Sequence, residues 1–303
     1  NPRPSRCQRE GRGFDPLCPL HEKIMIIWIA SYPKSGNTYV RSFLSSYYFS
    51  KKGKFDFEHL INIMQFPSLR YSKKDLYSFD EAAKNWIPNQ NHFFEKKKLF
   101  FLKTHNSLYE FNNKKFTTSN ETVGAVYIVR DPRNVITSMC HHYSFTYDFA
   151  YEKMIDQNAS LSEKTNDGDC SNFTYLGSWS DHYKSWKNNR DFRVLFIKYE
   201  DLQENKFEIF KNLIFFIEEL KNNKKNDFDE KRFLNSINST SFANLKNKEN
   251  IQGFQENFIS KDGKKINFFN LGFKNKWQNN LPKDILNKLN YKFEKELKEL
   301  NYI

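Results

Sequence analysis

The sequence of 303 residues has little cysteine and no long apolar run. Four cysteines are too few for a disulfide scaffold in a chain of this length, and their spacing is not that of metal ligands. We therefore expect a reducing, cytoplasmic environment and no metal site. No apolar run approaches the ~18 residues that a membrane-spanning helix needs, so we expect no membrane span. The cysteines are Cys7, Cys18, Cys140 and Cys170.

The first 24 residues differ in composition from the rest of the chain. Proline and arginine are frequent in residues 1–24, whereas lysine, asparagine and phenylalanine dominate afterwards. The segment also lacks the apolar core of a signal peptide. We predict that residues 1–24 are a leader, either disordered or foreign to the natural chain, and that residues 25–303 form a single domain.

The chain carries a formal net charge of +12, with 48 lysine and arginine residues against 36 aspartate and glutamate residues. Such an excess favours polyanionic partners, which include nucleic acid, acidic lipid and nucleotides with several phosphates. A solvated, lysine-rich surface is the alternative interpretation for most of these lysines. Phenylalanine and tyrosine, with 31 and 16 residues, are numerous enough to build much of a core.

Residues 25–49 form the most informative stretch. The short, apolar and β-branched run over residues 25–30 predicts a buried strand. Pro33 and Gly36 interrupt it, and apolar residues then recur at helical spacing. A turn that opens a helix leaves backbone N–H groups free at the positive end of the helix dipole, and together they attract anions. Because Lys34 adds a full positive charge, the stretch predicts a phosphate-binding loop.

The loop does not have the nucleotide-binding pattern G-x-x-x-x-G-K-[ST], because its lysine precedes its single glycine. Taken alone, the stretch is also compatible with a strand–turn–helix corner whose lysine is merely solvated. The choice between these two interpretations depends on what the other predicted strands carry at their ends.

Three further apolar runs predict buried strands, at residues 99–103, 123–129 and 194–197. Helical patterns lie between the strands, which predicts an α/β fold with a central parallel β-sheet flanked by helices. Ligands of such sheets bind at the carboxyl ends of the strands. The four strand ends carry polar side chains that packing alone does not explain, namely Lys34, His105, Arg130 and Tyr199.

The remaining elements are predicted from the same periodicity. Residues 80–86 are expected to form a helix that ends at Pro88. Residues 153–172 and 247–269 are expected to be loops. The chain is expected to close with one amphipathic helix over residues 283–300.

In their order along the chain, the motifs resemble those of the cytosolic sulfotransferase family, which transfers sulfuryl groups from 3′-phosphoadenosine 5′-phosphosulfate (PAPS). Residues 31–39, S-Y-P-K-S-G-N-T-Y, are similar to the family's 5′-phosphosulfate loop, T-Y-P-K-S-G-T-T-W. Residues 129–135 with Ser138 are similar to its 3′-phosphate motif, and residues 103–105, K-T-H, to the segment with the catalytic histidine. The resemblance covers about residues 24–277 and implies a sulfotransferase with the fold of P-loop nucleotide kinases.

The resemblance implies catalytic roles for three residues and no metal. His105 would take the proton from the acceptor's hydroxyl or amine, and its ordinary pKa near ~6.5 suits a base at neutral pH. Lys34 would stabilise the negative charge that grows on the leaving phosphate. Lys103 lies two residues from His105 along a strand, so it would face the same side and neutralise the transferring group.

The resemblance also implies a binding site for PAPS and for its product, 3′,5′-ADP. Lys34 would hold the 5′-phosphate together with backbone and hydroxyl groups of Ser35, Gly36, Asn37 and Thr38. The 3′-phosphate would contact Arg130, whose guanidinium fork fits a phosphate, and Ser138.

The adenine ring of the donor would lie between two aromatic side chains, Tyr39 and Phe242. Tyr199 and Thr240 would contact its edge. Gly272 matches the glycine of the family's late R-K-G motif, and we include it among the implied donor-binding residues.

The sequence departs from the family in two places. Residues 270–272 read N-L-G where the family has R-K-G, so the 3′-phosphate loses an expected charge contact. Lys274, Lys276 or a lysine of the 247–269 loop is the expected substitute. The family's dimerisation motif, K-x-x-x-T-V-x-x-x-E, is absent, so we do not predict that dimer.

Two other functions stay open. A P-loop kinase or nucleotide hydrolase would use a similar loop, but it needs a magnesium carboxylate that we cannot place. A basic module for nucleic acid or sulfated glycan would use residues 96–98 and 224–225, which are short lysine runs. We expect a small-molecule, lipid or glycan acceptor and no nucleic acid as partner, and the sequence does not identify the acceptor.

Overall fold

A five-stranded parallel sheet lies at the centre of the protein. The computed structural model describes residues 24–95, 98–164, 170–221, 228–259, 263 and 265–303. Its strands are β1 (Met25–Ser31), β2 (Ile63–Gln65), β3 (Leu99–Thr104), β4 (Thr122–Val129), β5 (Ser160–Lys164), β6 (Cys170–Tyr175), β7 (Arg193–Lys198), β8 (Phe258–Ile259) and β9 (Lys265–Ile266). The central sheet has the order β2-β3-β1-β4-β7, and two antiparallel pairs, β5-β6 and β8-β9, lie outside it.

Strand β1 is buried on both faces of the sheet. Trp28 packs into a hydrophobic cluster on one face, and Ile27 and Ile29 pack into a second cluster on the other. This two-sided burial explains why the strand is apolar throughout instead of alternating with polar residues. The indole Nε1 of Trp28 keeps a partner in the core, because it donates to Thr122 Oγ1 over 2.8 Å.

The register of the sheet aligns the carboxyl ends of the strands. Ala30 of β1 pairs with Thr104 of β3 and with Tyr127 of β4, and Val129 of β4 pairs with Lys198 of β7. The residues that follow these strands therefore share one edge of the sheet. The predicted α/β fold, a parallel sheet flanked by helices, is confirmed.

Helices cover both faces of the sheet and contribute to both clusters. They are α1 (Asn37–Phe49), α2 (Phe79–Phe93), α3 (Pro132–Tyr143), α4 (Tyr147–Ile155), α5 (Trp179–Lys187), α6 (Lys206–Leu220), α7 (Glu230–Ser239), α8 (Phe242–Gln252), α9 (Trp277–Asn280), α10 (Lys283–Lys292) and α11 (Glu294–Glu299). Short 3₁₀ helices span Phe57–Asn62, Leu69–Tyr71, Glu200–Gln203 and Gly272–Lys274.

The prediction that Pro88 ends its helix is wrong, because α2 continues through Pro88 to Phe93. A proline inside a helix removes one backbone hydrogen bond, and buried contacts on both sides of it offset that loss. Trp86 is buried before the proline, and Gln90 is buried after it. The Gln90 side-chain amide donates to the Phe116 carbonyl over 2.7 Å, which anchors the last turns of the helix.

Residues 153–172 are not a simple loop, because their described part contains the end of α4 and strands of the antiparallel pair β5-β6. These strands are polar, so their pattern gave no strand signal. The pair is held by contacts distant in sequence, since the Leu76 N–H donates to Ser171 Oγ over 2.9 Å. Similarly, α8 extends to Gln252 within the predicted 247–269 loop.

The predicted closing helix over residues 283–300 is two helices, α10 and α11. The break falls at Phe293, which is fully buried and packs against Trp179 with ring centroids 5.0 Å apart. The ring thereby joins the end of the chain to helix α5.

Some predictions fall outside the described residues. These are the leader up to residue 23 and most of the two lysine runs, of which the structure describes residue 98 alone. Within the described part of the chain, no helix is both long enough and apolar enough to cross a bilayer.

Candidate active site

The loop between β1 and α1 has the geometry of an anion-binding turn. Gly36 has a φ of 98° and Lys34 a φ of 65°, both in the left-handed region. The side-chain amide of Asn37 donates to the Ile29 carbonyl over 2.9 Å, which ties the start of α1 to the end of β1. A Cβ atom on Gly36 would lie 2.2 Å from the Tyr199 ring, so the turn requires glycine.

A cavity of about 690 Å³ opens from this loop at the carboxyl edge of the sheet. Its volume is in the range of small-molecule and cofactor sites. It brings together residues that are far apart in the sequence. The predicted site residues on its wall are Lys34, Gly36, Asn37, Thr38, Tyr39, Lys103, His105, Arg130, Ser138, Tyr199, Phe242 and Gly272.

Two predicted donor-binding residues are not on the cavity wall. Ser35 is buried, and within the described residues its hydroxyl has no hydrogen-bond partner. Thr240 is fully buried, and its hydroxyl donates to the Ser236 carbonyl over 2.7 Å. The predicted contact between Thr240 and the edge of the adenine therefore has no support from the geometry.

His105 is held with one nitrogen free to accept a proton. Its Nδ1 lies 2.7 Å from the Ser31 carbonyl oxygen. Because a carbonyl only accepts hydrogen bonds, Nδ1 carries the proton and Nε2 keeps its lone pair. Burial, reinforced by the charge of Lys103, lowers the pKa of His105 to about 3, so the imidazole is neutral near pH 7.

A second histidine, which the sequence analysis did not single out, supports the first. His182 Nε2 donates to the His105 carbonyl oxygen over 2.9 Å. Its Nδ1 then accepts from the Tyr127 hydroxyl over 2.8 Å. The signal available in the sequence was the position of His182 on α5, beside Tyr183 and on the aromatic face of that helix.

Lys34 lies in an environment that disfavours its charge. Burial lowers its pKa to about 7, and the nearby charges of Arg130 and Lys103 act in the same direction, whereas Glu256 opposes them. Its Nζ lies 4.1 Å from the centroid of the Phe268 ring. An anion beside Lys34 would restore its charge, as expected of a lysine that binds a phosphate.

Arg130 contacts the same loop from the end of β4. Its Nη1 donates to the Lys34 carbonyl over 2.9 Å, and its guanidinium carbon lies 4.5 Å from the centroid of the Tyr199 ring. The Tyr199 ring also stacks on Phe273, with centroids 4.8 Å apart. These contacts fix a cation and an aromatic face side by side at one end of the cavity.

Arg41 and Glu256 are two further charged residues that contact the predicted site, and the sequence did not lead us to predict either. Arg41 Nη2 donates to Glu256 Oε1 over 2.5 Å, and Lys103 Nζ donates to the same oxygen over 3.3 Å. The other carboxylate oxygen accepts from Thr38 Oγ1 over 3.0 Å. Arg41 follows Asn37 by one helical turn, which was a usable signal, whereas the sequence contains no signal for Glu256.

Residues 270–272 lack the arginine and lysine of the family's R-K-G motif, and the lysines expected to replace them lie at different places relative to the cavity. Lys276 lines a second cavity of about 270 Å³, whose wall also includes Arg130 and Gly272. Lys274 lines neither cavity. Among the lysines of the 247–269 loop, Lys248 donates to Asp56 Oδ2 over 2.8 Å, and residues 261 and 264 lie outside the described part of the chain. Lys276 is thus the better placed substitute, and its role stays a prediction.

Several polar atoms around the cavity are buried without a hydrogen-bond partner in the described part of the protein. They include Ser35 Oγ, Asn37 Oδ1, Arg130 Nε and His142 Nδ1. A buried polar atom without a partner costs free energy, so the free protein carries this cost beside the cavity. Within the described ranges, no group of three or more His, Cys, Asp or Glu residues is arranged to hold a metal ion.

Comparisons with known proteins identify the family of the chain. A family model described as "Sulfotransferase domain" matches residues 26–301, so the chain belongs to the sulfotransferase family. It is 25% identical over 284 residues to Sulfotransferase 1E1 of Rattus norvegicus, covering 89% of this chain and 83% of the relative. It is 20% identical over 281 residues to an amine sulfotransferase of Oryctolagus cuniculus, covering 90% and 81%.

The fold also matches a solved structure, that of mouse sulfotransferase SULT7A1 complexed with PAP. The TM-score is 0.50 at 17% sequence identity, and the match covers 92% of this chain and 85% of that chain. At this identity the likeness shows the fold alone, and it agrees with the α/β architecture described above.

Proposed function

We propose that this protein transfers the sulfuryl group of PAPS to a hydroxyl or amine of a small-molecule, lipid or glycan acceptor, with His105 as the general base. The observation that carries the proposal is that one cavity is lined by the phosphate-binding loop, by His105 and by Arg130 with Ser138. These are the groups that the reaction needs for the 5′-phosphosulfate, the acceptor's proton and the 3′-phosphate.

The reaction would proceed in line. As the acceptor oxygen or nitrogen attacks the sulfur, His105 Nε2 takes its proton, because the Ser31 carbonyl keeps the other ring nitrogen protonated. The bond between sulfur and the bridging oxygen breaks, and the electron pair stays on the 5′-phosphate of 3′,5′-ADP. Lys34 stabilises this growing charge, and Lys103 neutralises the transferring group.

Lys34 and His105 are suited to such a reaction only with the donor bound. In the free protein burial depresses both pKa values, and the cations nearby add to this effect. The negative charges of PAPS would oppose these effects and raise both pKa values. Donor binding would therefore charge Lys34 and make His105 a stronger base.

The remaining contacts to the donor would be those that the resemblance implies. Gly36, Asn37 and Thr38 would bind the 5′-phosphate, and Tyr39, Tyr199 and Phe242 would surround the adenine. All six line the cavity. A cytoplasmic location and the absence of the family's dimer stay parts of the proposal, as does the domain of residues 25–303.

Thermal-shift titration separates this proposal from a nucleotide kinase or hydrolase. We expect 3′,5′-ADP to raise the melting temperature without magnesium, because lysine, arginine and backbone groups bind both phosphates. We expect ATP with magnesium to have a smaller effect at equal concentration. Stabilisation by ATP that depends on magnesium, with no effect of 3′,5′-ADP, would contradict the proposal.

A further inference from the structure

The Glu256 carboxylate lies where an anionic ligand of this site would lie. Its two oxygens accept from Thr38 Oγ1 over 3.0 Å, from Lys103 Nζ over 3.3 Å and from Arg41 Nη2 over 2.5 Å. Thr38 and Lys103 are two of the residues that the proposed function assigns to the donor. The carboxylate therefore uses hydrogen-bond donors that the phosphosulfate group would need.

Arg41 completes this set of donors for an anion. It lies on α1, and its side chain is only 5% exposed. The first turn of α1 contains no acidic residue that could neutralise it locally. A buried guanidinium needs an anionic partner, and Glu256 is the carboxylate in contact with it. The Thr38 hydroxyl, the Arg41 guanidinium and the Lys103 ammonium thus form one anion subsite.

The segment that carries Glu256 covers other donor-binding groups as well. We call residues 253–259 and 265–273 the cap segment. Phe268 of this segment lies over the Lys34 ammonium, and Phe273 stacks on Tyr199. Glu249 holds the segment in place, since its carboxylate accepts from the backbone N–H of Phe268 over 2.6 Å and of Phe269 over 2.8 Å.

We propose, on the basis of the proposed function, that Glu256 is an internal substitute for the anionic group of the donor and leaves the subsite when the donor binds. The phosphosulfate then takes over Thr38, Arg41 and Lys103. Arg41 becomes a donor-binding residue, although neither the sequence motifs nor the comparisons assign it. The anion subsite of the free protein is occupied by the chain's own carboxylate, and donor binding displaces the Glu256 side chain from it.

Electrostatics explains why Glu256 and the donor exclude each other. Both are anions, and two anions that share one set of hydrogen-bond donors in a buried site repel strongly. Burial alone would raise the pKa of Glu256, but the contact with Arg41 and Lys103 holds it far below its usual range, so the carboxylate is charged near pH 7. Protonation therefore does not relieve the repulsion, and the side chain has to move.

Binding of 3′,5′-ADP to the full chain, measured by titration calorimetry, tests the inference. Glu256→Gln removes the charge and keeps the shape, and we expect it to bind 3′,5′-ADP about tenfold more tightly than the wild type. Without ligand the variant should melt at a lower temperature than the wild type, because Arg41 and Lys103 lose their counter-ion. Saturating 3′,5′-ADP should remove that difference.

The matched control is Glu204→Gln, which removes one negative charge from an exposed position. It should leave the affinity for 3′,5′-ADP within about twofold of the wild type, because exposed charges are screened. Adding Arg41→Gln to Glu256→Gln should reverse most of the gain in affinity, since Arg41 then no longer binds the ligand.

The outcomes separate this inference from the proposed function. Equal or weaker binding of 3′,5′-ADP by Glu256→Gln, with the wild type still binding it, would overturn the inference and leave the proposed function standing. Failure of wild type and variants alike to bind 3′,5′-ADP would contradict the proposed function, and the inference would fall with it.

Discussion

At the residue scale, the most consequential detail is the hydrogen bond from His105 Nδ1 to the Ser31 carbonyl. This hydrogen bond keeps the proton on Nδ1 and leaves the lone pair of Nε2 free. A free lone pair is what a general base needs. We expect His105→Ala to lower turnover by about 10²–10⁴, the usual contribution of a general base. The affinity for 3′,5′-ADP, measured by calorimetry, should change by less than about threefold, because the role proposed for His105 concerns the acceptor's proton and not the donor.

The control for this variant is His92→Ala, an exposed histidine on α2. It should keep the turnover of the wild type. Turnover near the wild-type value in His105→Ala would remove the assigned role from that residue.

Lys34 gives a second prediction at this scale, on the pH dependence of binding. Its pKa is about 7 in the free protein, and a bound anion raises it. Binding of 3′,5′-ADP should therefore take up protons near pH 7.5 and weaken as the pH rises from 7 towards the pKa of the complex. Calorimetry in buffers with different ionisation enthalpies measures this uptake.

Lys34→Arg serves as the comparison, because a guanidinium stays charged throughout this pH range. Whatever its affinity, the variant should show less proton uptake than the wild type. Equal uptake by both proteins would show that another group titrates.

Residues whose chemistry is visible in local motifs could be predicted, and those defined by distant contacts could not. Lys34, His105 and Arg130 follow buried strands, so their common location at the carboxyl edge follows from the fold class. The contact between Arg41 and Glu256 joins residues 215 positions apart. Nothing in the sequence around Arg41 or around Glu256 indicates that these two residues meet. The contact between His182 and the His105 carbonyl is also between residues distant in sequence.

At the element scale, the turn between β1 and α1 is the part with the least tolerance for change. Gly36 has a positive φ, and a Cβ atom there would lie 2.2 Å from a ring carbon of Tyr199, which packs against Arg130 and Phe273. We expect Gly36→Ala to weaken 3′,5′-ADP binding by more than about 100-fold, because the turn or the Tyr199 ring has to move. A change of 100-fold corresponds to roughly 2.7 kcal/mol.

Gly177→Ala is the matched control. Gly177 also has a positive φ, 63°, but a Cβ atom there would meet its nearest neighbours at 3.6 Å, an ordinary contact. Backbone strain should lower the free energy of unfolding of both variants by about 1–2 kcal/mol, as measured by urea unfolding. Similar loss of nucleotide binding in the two variants would contradict the role of the turn.

Which elements could be predicted depended on whether their own sequences are apolar, and not on burial alone, since β7 is an edge strand whose Phe196 is 37% exposed. The strands β1, β3, β4 and β7 were recognisable as apolar runs between polar segments. Strand β2 has only three residues, and β5 and β6 are polar, so their pairing follows from tertiary contacts and not from their own sequences. Helix α2 continued past its proline for the same reason, since Gln90 is held by Phe116.

At the scale of the whole molecule, buried neutral histidines should make the protein sensitive to acid. Burial lowers the pKa of His182 to about 4 and that of His142 to about 3, against ~6.5 in an unfolded chain. The unfolded state therefore binds more protons below pH 6.5. Stability should be highest above that pH and should fall by about 1.4 kcal/mol per histidine and pH unit as the pH decreases towards 4.

Urea unfolding at pH 7.5, 6.5 and 5.5 measures this loss. The free energy of unfolding of His182→Gln should decrease less steeply with falling pH than that of the wild type. The free energy of unfolding of His92→Gln, which changes an exposed residue, should decrease as in the wild type. A free energy of unfolding that stays constant down to pH 5.5 would contradict the assignment of neutral, buried imidazoles.

The central claim is that this sulfotransferase moves sulfuryl groups from PAPS by means of one cavity at the carboxyl edge of the sheet. The direct measurement is transfer from radiolabelled PAPS to a pool of phenols, alcohols and amines, with EDTA present to remove divalent metals. The account predicts labelled product with the wild type and a loss of at least about 100-fold with His105→Ala. Absence of transfer from PAPS, together with magnesium-dependent turnover of ATP, would contradict it.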